Sequence, residues 1–247
     1  MSDNLKLLVT GCHGKMGQAV IHCAADFPDI EVTATVDVGD DLKSALAQSN
    51  SVIDFTQHGF SVELVEACTE AGCALIMGTT GHTNAERSVI HAAANKIPIV
   101  LAPNFSVGVN TLFWLTQKAA SVLQPGFDIE VVEMHHRHKT DAPSGTARRL
   151  GEILAETTGR SYEGDTRHGR VGDVGARTEQ EIGMHALRGG DVVGDHTVIF
   201  AAGGERVELS HKASSRETFA RGALRAALWL RGRCSGLFDM QDVLGLK

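Results

Sequence analysis

The sequence predicts an α/β fold, with a Rossmann-type parallel sheet domain followed by a smaller α+β domain whose sheet is mixed or antiparallel. Three observations carry that expectation. Short continuous apolar runs alternate with amphipathic ones over the first hundred residues, roughly. The first such run ends in a turn spaced G-x-x-G-x-x-G. Beyond position 180 three strand-like runs follow one another across Gly-Gly or Gly-Asp turns.

The expected strands of the first part lie at 6–10, 31–36, 51–55, 74–77 and 98–102. They are apolar throughout, as burial on both faces of a parallel sheet requires. Between them 16–25, 61–71 and 84–94 carry helical spacing of Ala, Val, Leu and Ile. In 61–71 the series Val62, Val65, Glu66, Thr69 gives a half-apolar face, so that helix rests on its length and on the stop at Ala71-Gly72. The pattern then changes to a helix at 110–123, a strand at 128–134, a helix at 145–157 and a polar, glycine-rich stretch at 159–177. Strands are expected at 181–186, 196–201 and 206–211. In the last of these Val207 and Leu209 alternate with polar residues, the mark of a sheet with one wet face. An alanine-rich helix at 217–230 returns to the first domain. The division is therefore 1–106, completed by 217–247, for dinucleotide binding, and 107–216 for substrate binding and oligomerisation.

Composition narrows the class of function. At 247 residues, with 43% hydrophobic and 21% charged residues, the chain can build its core without disulfides or structural metal. A net charge of −7 with a single tyrosine and two tryptophans argues against nucleic acid, which demands cations and stacking surfaces. Cys12, Cys23, Cys68, Cys73 and Cys234 are odd in number and form no C-x-x-C pair. Met1-Ser2-Asp3 leads straight towards a strand, and no run is long and apolar enough to span a membrane. A cytoplasmic protein with no membrane or nucleic-acid partner is expected.

The turn Gly11-Cys12-His13-Gly14-Lys15-Met16-Gly17 sits between an expected strand and helix. Glycines there let the backbone approach a pyrophosphate, and the helix points free N–H groups and its positive dipole end at the phosphates. Glycine occupies about every ninth position of this chain, so the triplet alone is weak. Asp37, twenty positions after Gly17, strengthens it by offering a carboxylate to ribose hydroxyls. Gly78-Thr79-Thr80-Gly81 and Ala102-Pro103-Asn104-Phe105 each follow a strand, at the sheet edge where open α/β folds bind ligands.

The densest chemistry is Glu133-Met134-His135-His136-Arg137-His138-Lys139-Thr140-Asp141-Ala142-Pro143-Ser144-Gly145-Thr146. Five potentially cationic side chains stand in a row in an acidic protein. The histidine spacing does not suit a metal site on a helix, where ligands four apart share a face, so no metal is expected. Acid–base chemistry suits it better, since histidine titrates near neutrality and a lysine adds a fixed cation. Ser144 can cap a helix from Gly145, whose first N–H groups, with His136 and Lys139, could bind a carboxylate. Arg216 adds a cation that either meets a carboxylate or pairs with Glu217.

These strings, with His211-Lys212-Ala213-Ser214-Ser215-Arg216 and the terminal helix, follow the order found in the dihydrodipicolinate reductase family, which the chain resembles over nearly its whole length. The resemblance implies reduction of the cyclic dicarboxylate formed from pyruvate and aspartate-semialdehyde, in lysine and diaminopimelate biosynthesis, by NADH or NADPH. It implies His135 as proton donor and Lys139 as its partner, with His136, Gly145 and Thr146 holding substrate. Gly11, Cys12, His13, Gly14, Lys15, Met16, Asp37, Gly78, Thr79, Thr80, Ala102, Pro103, Asn104 and Phe105 would hold the cofactor. It further implies a homotetramer. Many members carry arginine after the acidic residue that ends the second strand, but here Val38 stands there. NADH is therefore favoured, with NADPH possible. Two alternatives remain open at this point. Another Rossmann reductase would share the glycine turn without needing the histidine string. A dinucleotide-sensing module would need no acid at all.

Overall fold

A computed structural model describes residues 4–247 and divides into two compact units. The opening tripeptide, expected to run straight towards a strand, lies outside the described residues. The first unit runs to Val107 and takes up Arg216–Lys247; the second is Gly108–Ser215.

In the first unit β1 (Leu5–Thr10), α1 (Lys15–Ala24), β2 (Ile30–Val36), α2 (Leu42–Leu46), β3 (Ser51–Asp54), α3 (His58–Ala71), β4 (Ala74–Met77), α4 (Asn84–Ala93) and β5 (Pro98–Leu101) succeed one another. The chain then enters the second unit with α5 (Val107–Leu123), β6 (Asp128–His135), α6 (Gly145–Thr158), α7 (Tyr162–Asp165), β7 (Thr166–His168), β8 (Ile182–Arg188), β9 (Gly194–Ala202) and β10 (Glu205–Ala213). It returns as α8 (Glu217–Leu230), β11 (Gly236–Phe238) and α9 (Met240–Leu244).

The first sheet has the order β11-β5-β4-β3-β1-β2 with every pairing parallel. Its strands feed two cores in alternation. Leu7, Val9, Ile53, Ile76 and Val100 pack under α1, α8 and α9, while Leu8, Val52, Leu75, Met77 and Ile99 pack under α2, α3 and α4. Period-two side chains on a sheet covered on both sides thus read as unbroken apolar runs. The buried stripe of α3 is Ser61, Leu64, Val65 and Cys68, and not the stripe through Val62, Glu66 and Thr69 expected from the sequence. The true stripe, at i, i+3, i+4 and i+7, begins with a serine that hydrogen-bonds His82, which hid it. The short α2, α7, β7, β11 and α9 were also not expected. At three to five residues each, they are too brief to show periodicity.

The second sheet, ordered β10-β9-β6-β8-β7, is mixed: β6 pairs parallel with β8 and antiparallel with β9. One face is covered by α5 and α6 over Ile129, Val131, Ile182, Met184, Val198 and Phe200. On the other, Glu130 gathers Arg170, Arg177 and His185 at 2.9, 3.0 and 2.6 Å and so fastens the glycine-rich stretch to the sheet. Burial alone would raise the pKa of Glu130, but the hydrogen bonds from Arg170, His185 and Arg177 outweigh it and bring the value down to about 2. The folded value lies below the ordinary 4.5, so the stabilisation is complete above pH 4.5 and fades as pH falls towards 2. Glu130→Gln is expected to lower unfolding free energy by about 2 kcal/mol at pH 7. That difference should shrink on acidification in denaturant titrations at stepped pH; a constant difference would contradict the ion-pair account.

Candidate active site

The carboxyl edge of the first sheet is built by glycines that no other residue could replace. Gly11 has φ +61°, and a Cβ on Gly17 would stand 2.2 Å from the Gly11 carbonyl oxygen. The turn between β1 and α1 therefore closes only with hydrogen at both positions. It opens beside a cleft of about 340 Å³ lined by Gly11, Asp37, Val38, Asp40, Thr56 and Glu63 among others. Asp37, just beyond β2, accepts the His13 and Val38 N–H groups at 2.9 Å each, and these backbone bonds hold its carboxyl below the usual range.

A second carboxylate at this edge was not singled out from the sequence. Asp54, fully buried at the end of β3, accepts hydroxyl hydrogen bonds from Thr10, Thr56 and Thr79 at 2.7, 2.6 and 2.6 Å. It thereby fastens the end of β1 and the Gly78-Thr79-Thr80 segment to β3. Gly78 is equally constrained, since a Cβ there would lie 2.1 Å from the Phe55 ring, which meets Phe105 edge to face at 5.5 Å. Asn104 closes the last segment by accepting the Ser106 N–H at 2.8 Å. Glycine turn, acidic residue, cleft and both later loops thus suit a dinucleotide.

In the second unit β6 runs one residue further than the sequence suggested, through His135. The consequence is chemical. Ile129, Val131, Glu133 and His135 alternate onto one face, so the apolar column under α6 ends in a buried carboxylate and a buried imidazole. On β9, Phe200 and Val198 lead in the same way to His196 and Gly194. Glu133, 1% exposed, receives four hydrogen bonds: His135 Nδ1 at 2.6 Å, the Ser144 N–H at 3.0 Å, and Arg188 Nη1 and Nη2 at 2.8 and 2.9 Å. Burial would raise its pKa, but Arg188, His135 and Ser144 together hold the carboxyl below its ordinary value. Ser144 caps α6 by accepting the Ala147 N–H at 3.2 Å, and its hydroxyl meets His196 Nε2 at 3.1 Å. His196 lies against His135, ring centres 5.1 Å apart, and burial keeps it neutral with a pKa of about 3.

The predicted residues of the string divide by position. His135 is buried, His136 and Lys139 are half-buried, and Arg137 and His138 face solvent. Lys139 pairs with Asp141 at 2.8 Å. Gly145 and Thr146 form the first turn of α6, as the cap at Ser144 requires. Arg216 belongs to the first unit, exposed at the start of α8. Among the described residues the grouping of His, Cys, Asp or Glu that could hold a metal is Cys12 and His13 of the glycine turn with Asp37, and it includes no member of the histidine string. Glu133, Arg188 and His196 were not given roles from sequence. The signal was present in the phase of Glu133 with Val131, and of His196 with Val198: polar residues at core positions.

A parallel sheet with this glycine turn, joined to a unit carrying a buried acid–base cluster, defines a Rossmann-fold oxidoreductase that takes a nicotinamide cofactor. Comparison with known proteins narrows the class. The family models described as dihydrodipicolinate reductase, N-terminus and C-terminus, match residues 5–105 and 108–244. A 4-hydroxy-tetrahydrodipicolinate reductase of Akkermansia muciniphila is 58% identical over 98% of both chains, and one of Anaeromyxobacter dehalogenans is 47% identical over the same shares. A solved dihydrodipicolinate reductase from Paenisporosarcina sp. TG-14, with dipicolinate bound, shares the fold at a TM-score of 0.80 and 23% identity, over 97% of this chain and 98% of that one. The chain belongs to the dihydrodipicolinate reductase family.

Proposed function

We propose that this protein reduces 4-hydroxy-tetrahydrodipicolinate, by way of dihydrodipicolinate, to tetrahydrodipicolinate, with NADH preferred over NADPH. The observation that carries the reading is the Glu133-bound His135 beside the capped first turn of α6. That arrangement offers an acid and a carboxylate-binding helix N-terminus to one small anionic ring. The dicarboxylate bound to the Paenisporosarcina relative and the names of the two bacterial relatives point to the same ring.

Residues 11–16, Asp37, 78–80 and 102–105 would hold the nicotinamide cofactor, which would supply a hydride to one carbon of a conjugated double bond. Negative charge then gathers on the neighbouring carbon, and His135 donates the proton that quenches it. Lys139, ion-paired with Asp141, stabilises the developing charge. His136 and the N–H groups of Gly145 and Thr146 hold a ring carboxylate, and Arg216 is a further candidate for that task. A sensing module has no use for a buried carboxylate that fixes an acid.

The preference for NADH rests on the cleft beside Asp37. Among the described residues lining it are the carboxylates of Asp37, Asp40 and Glu63, and none is lysine or arginine. A free ribose 2′-hydroxyl donates to Asp37, whereas a 2′-phosphate would meet like charge. Oxidation of NADH and NADPH, followed by absorbance with freshly condensed pyruvate and aspartate-semialdehyde, tests both claims. NADH should give the higher kcat/KM, and Val38→Arg should raise the NADPH value roughly tenfold. Absence of turnover with either cofactor would move the assignment to another substrate. We also propose a cytoplasmic homotetramer, on the family resemblance, which analytical ultracentrifugation checks directly. No helix among the described residues is long and apolar enough to cross a membrane.

A further inference from the structure

We infer that Glu133 and Arg188 are positioning residues for the proton transfer, together fixing His135 so that Nε2 alone can deliver the proton, and that His196 joins them in tying this acid to the carboxylate-binding turn of α6. The inference rests on the proposed role of His135.

An ionised carboxylate accepts about four hydrogen bonds and donates none. Each oxygen of Glu133 has two donors: Oε2 takes His135 Nδ1 and Arg188 Nη1, and Oε1 takes the Ser144 N–H and Arg188 Nη2. With the carboxyl held ionised by these donors, His135 Nδ1 must carry hydrogen in both charge states of the ring. The proton that comes and goes is therefore the one on Nε2.

Space is kept at that atom. A Cβ on Gly194, the first residue of β9, would stand 2.9 Å from His135 Nε2, so the absence of a side chain there leaves the nitrogen uncovered on that side.

The same carboxylate also sets the acid's distance from the substrate's anchor. Glu133 holds the backbone of Ser144, the residue that caps α6, and so links His135 to Gly145 and Thr146 through one side chain. His196 makes a second link between the same two places, with its ring against His135 and its Nε2 on the Ser144 hydroxyl. Because burial keeps it neutral, this link adds no charge beside the acid.

Arg188 has two duties of opposite electrostatic sense. It completes the shell of Glu133 and anchors to the Asp141 carbonyl oxygen at 2.6 Å, and it offsets the carboxylate's charge. The titratable groups around His135 are then Glu133 on its own strand, Arg188 on β8, His196 on β9 with His211 paired to it on β10, and Lys139 with Asp141 beyond the strand end. Removing the carboxylate takes away stabilisation of the imidazolium; removing the guanidinium takes away opposition to it.

The test uses the full-length protein and the pH dependence of kcat for wild type, Glu133→Gln, Arg188→Gln and His135→Gln, with dinucleotide affinity measured in each. Glu133→Gln is expected to lower kcat roughly 100-fold, the lower end of what general acid–base catalysis contributes and less than loss of the tautomer-fixing carboxylate costs a serine-protease triad. The basic limb of its profile should move to lower pH, that of Arg188→Gln to higher pH, and dinucleotide affinity should stay at the wild-type level. A general loss of packing would not move the two limbs in opposite directions. Coincident limbs for wild type and Glu133→Gln, or movement of both variants the same way, would overturn the inference. If Glu133→Gln does not fold, Arg188→Gln decides alone: an upward shift supports the assignment and an unmoved limb removes it. Turnover retained in His135→Gln would overturn the proposed role of His135 itself. Turnover lost there, with an unshifted Glu133→Gln profile, would overturn only the positioning assignment.

Discussion

His135→Gln is expected to lower kcat by about 10³-fold, within the span that general acid catalysis contributes. Glutamine keeps a polar side chain of similar reach but offers no titrating proton. It can still answer the Glu133 carboxylate through its amide N–H, so the four-donor shell and the cap of α6 should survive. The residues proposed to hold the dinucleotide lie in the other unit, and its affinity should therefore match wild type in a fluorescence titration. Retained turnover would be inconsistent with His135 as proton donor. Lost turnover together with lost dinucleotide binding would signal a damaged fold in place of a missing proton.

Gly17→Ala should be comparably severe by another route. A methyl group at this position would lie 2.2 Å from the Gly11 carbonyl oxygen and 2.9 Å from the Cys12 Cα. Both obstacles are backbone, so neither can swing aside, and either α1 must move off β1 or the turn must open. Dinucleotide affinity is expected to fall by roughly two orders of magnitude, because the turn's N–H groups would no longer converge on the pyrophosphate. A lowered melting temperature should accompany it. Titration with NADH and a thermal melt together check this. Wild-type affinity in the variant would show that the turn is not where the phosphates sit. Gly145→Ala makes a fitting control, since a Cβ there would meet nothing within 4 Å.

Much of the fold was legible in the chain because a parallel sheet covered on both faces needs strands apolar at every position. The runs at 51–55 and 74–77 read as strands for that reason, and the strands form at Ser51–Asp54 and Ala74–Met77. The glycine turn was legible because so tight a connection between strand and helix tolerates few residues. Other features hid in plain view. Asp54 sits inside the run expected as a strand at 51–55; only the positions of Thr10, Thr56 and Thr79 in space make it a tie between loops. Arg188 follows Glu133 by 55 positions, and nothing local in sequence joins them. Their pairing depends on the parallel register that sets His135 opposite Arg188 across β6 and β8.

By itself, then, the sequence determined the α/β class, the order of the chain through its two kinds of sheet, the glycine turn followed by Asp37, and the string from Glu133 to Thr146 that marks the family. These are local matters of periodicity, turn chemistry and spacing, and neighbouring residues decide them. Tertiary structure decided where the members of that string lie and what surrounds each of them. It put His135 on the last buried position of β6 and left Arg137 and His138 in solvent. It also brought a guanidinium from β8 to the Glu133 carboxylate, and an imidazole from β9 against the His135 ring and the Ser144 hydroxyl. A buried charge is tolerated only when its lone pairs are filled, and the residues that fill those of Glu133 come from three separate stretches of chain.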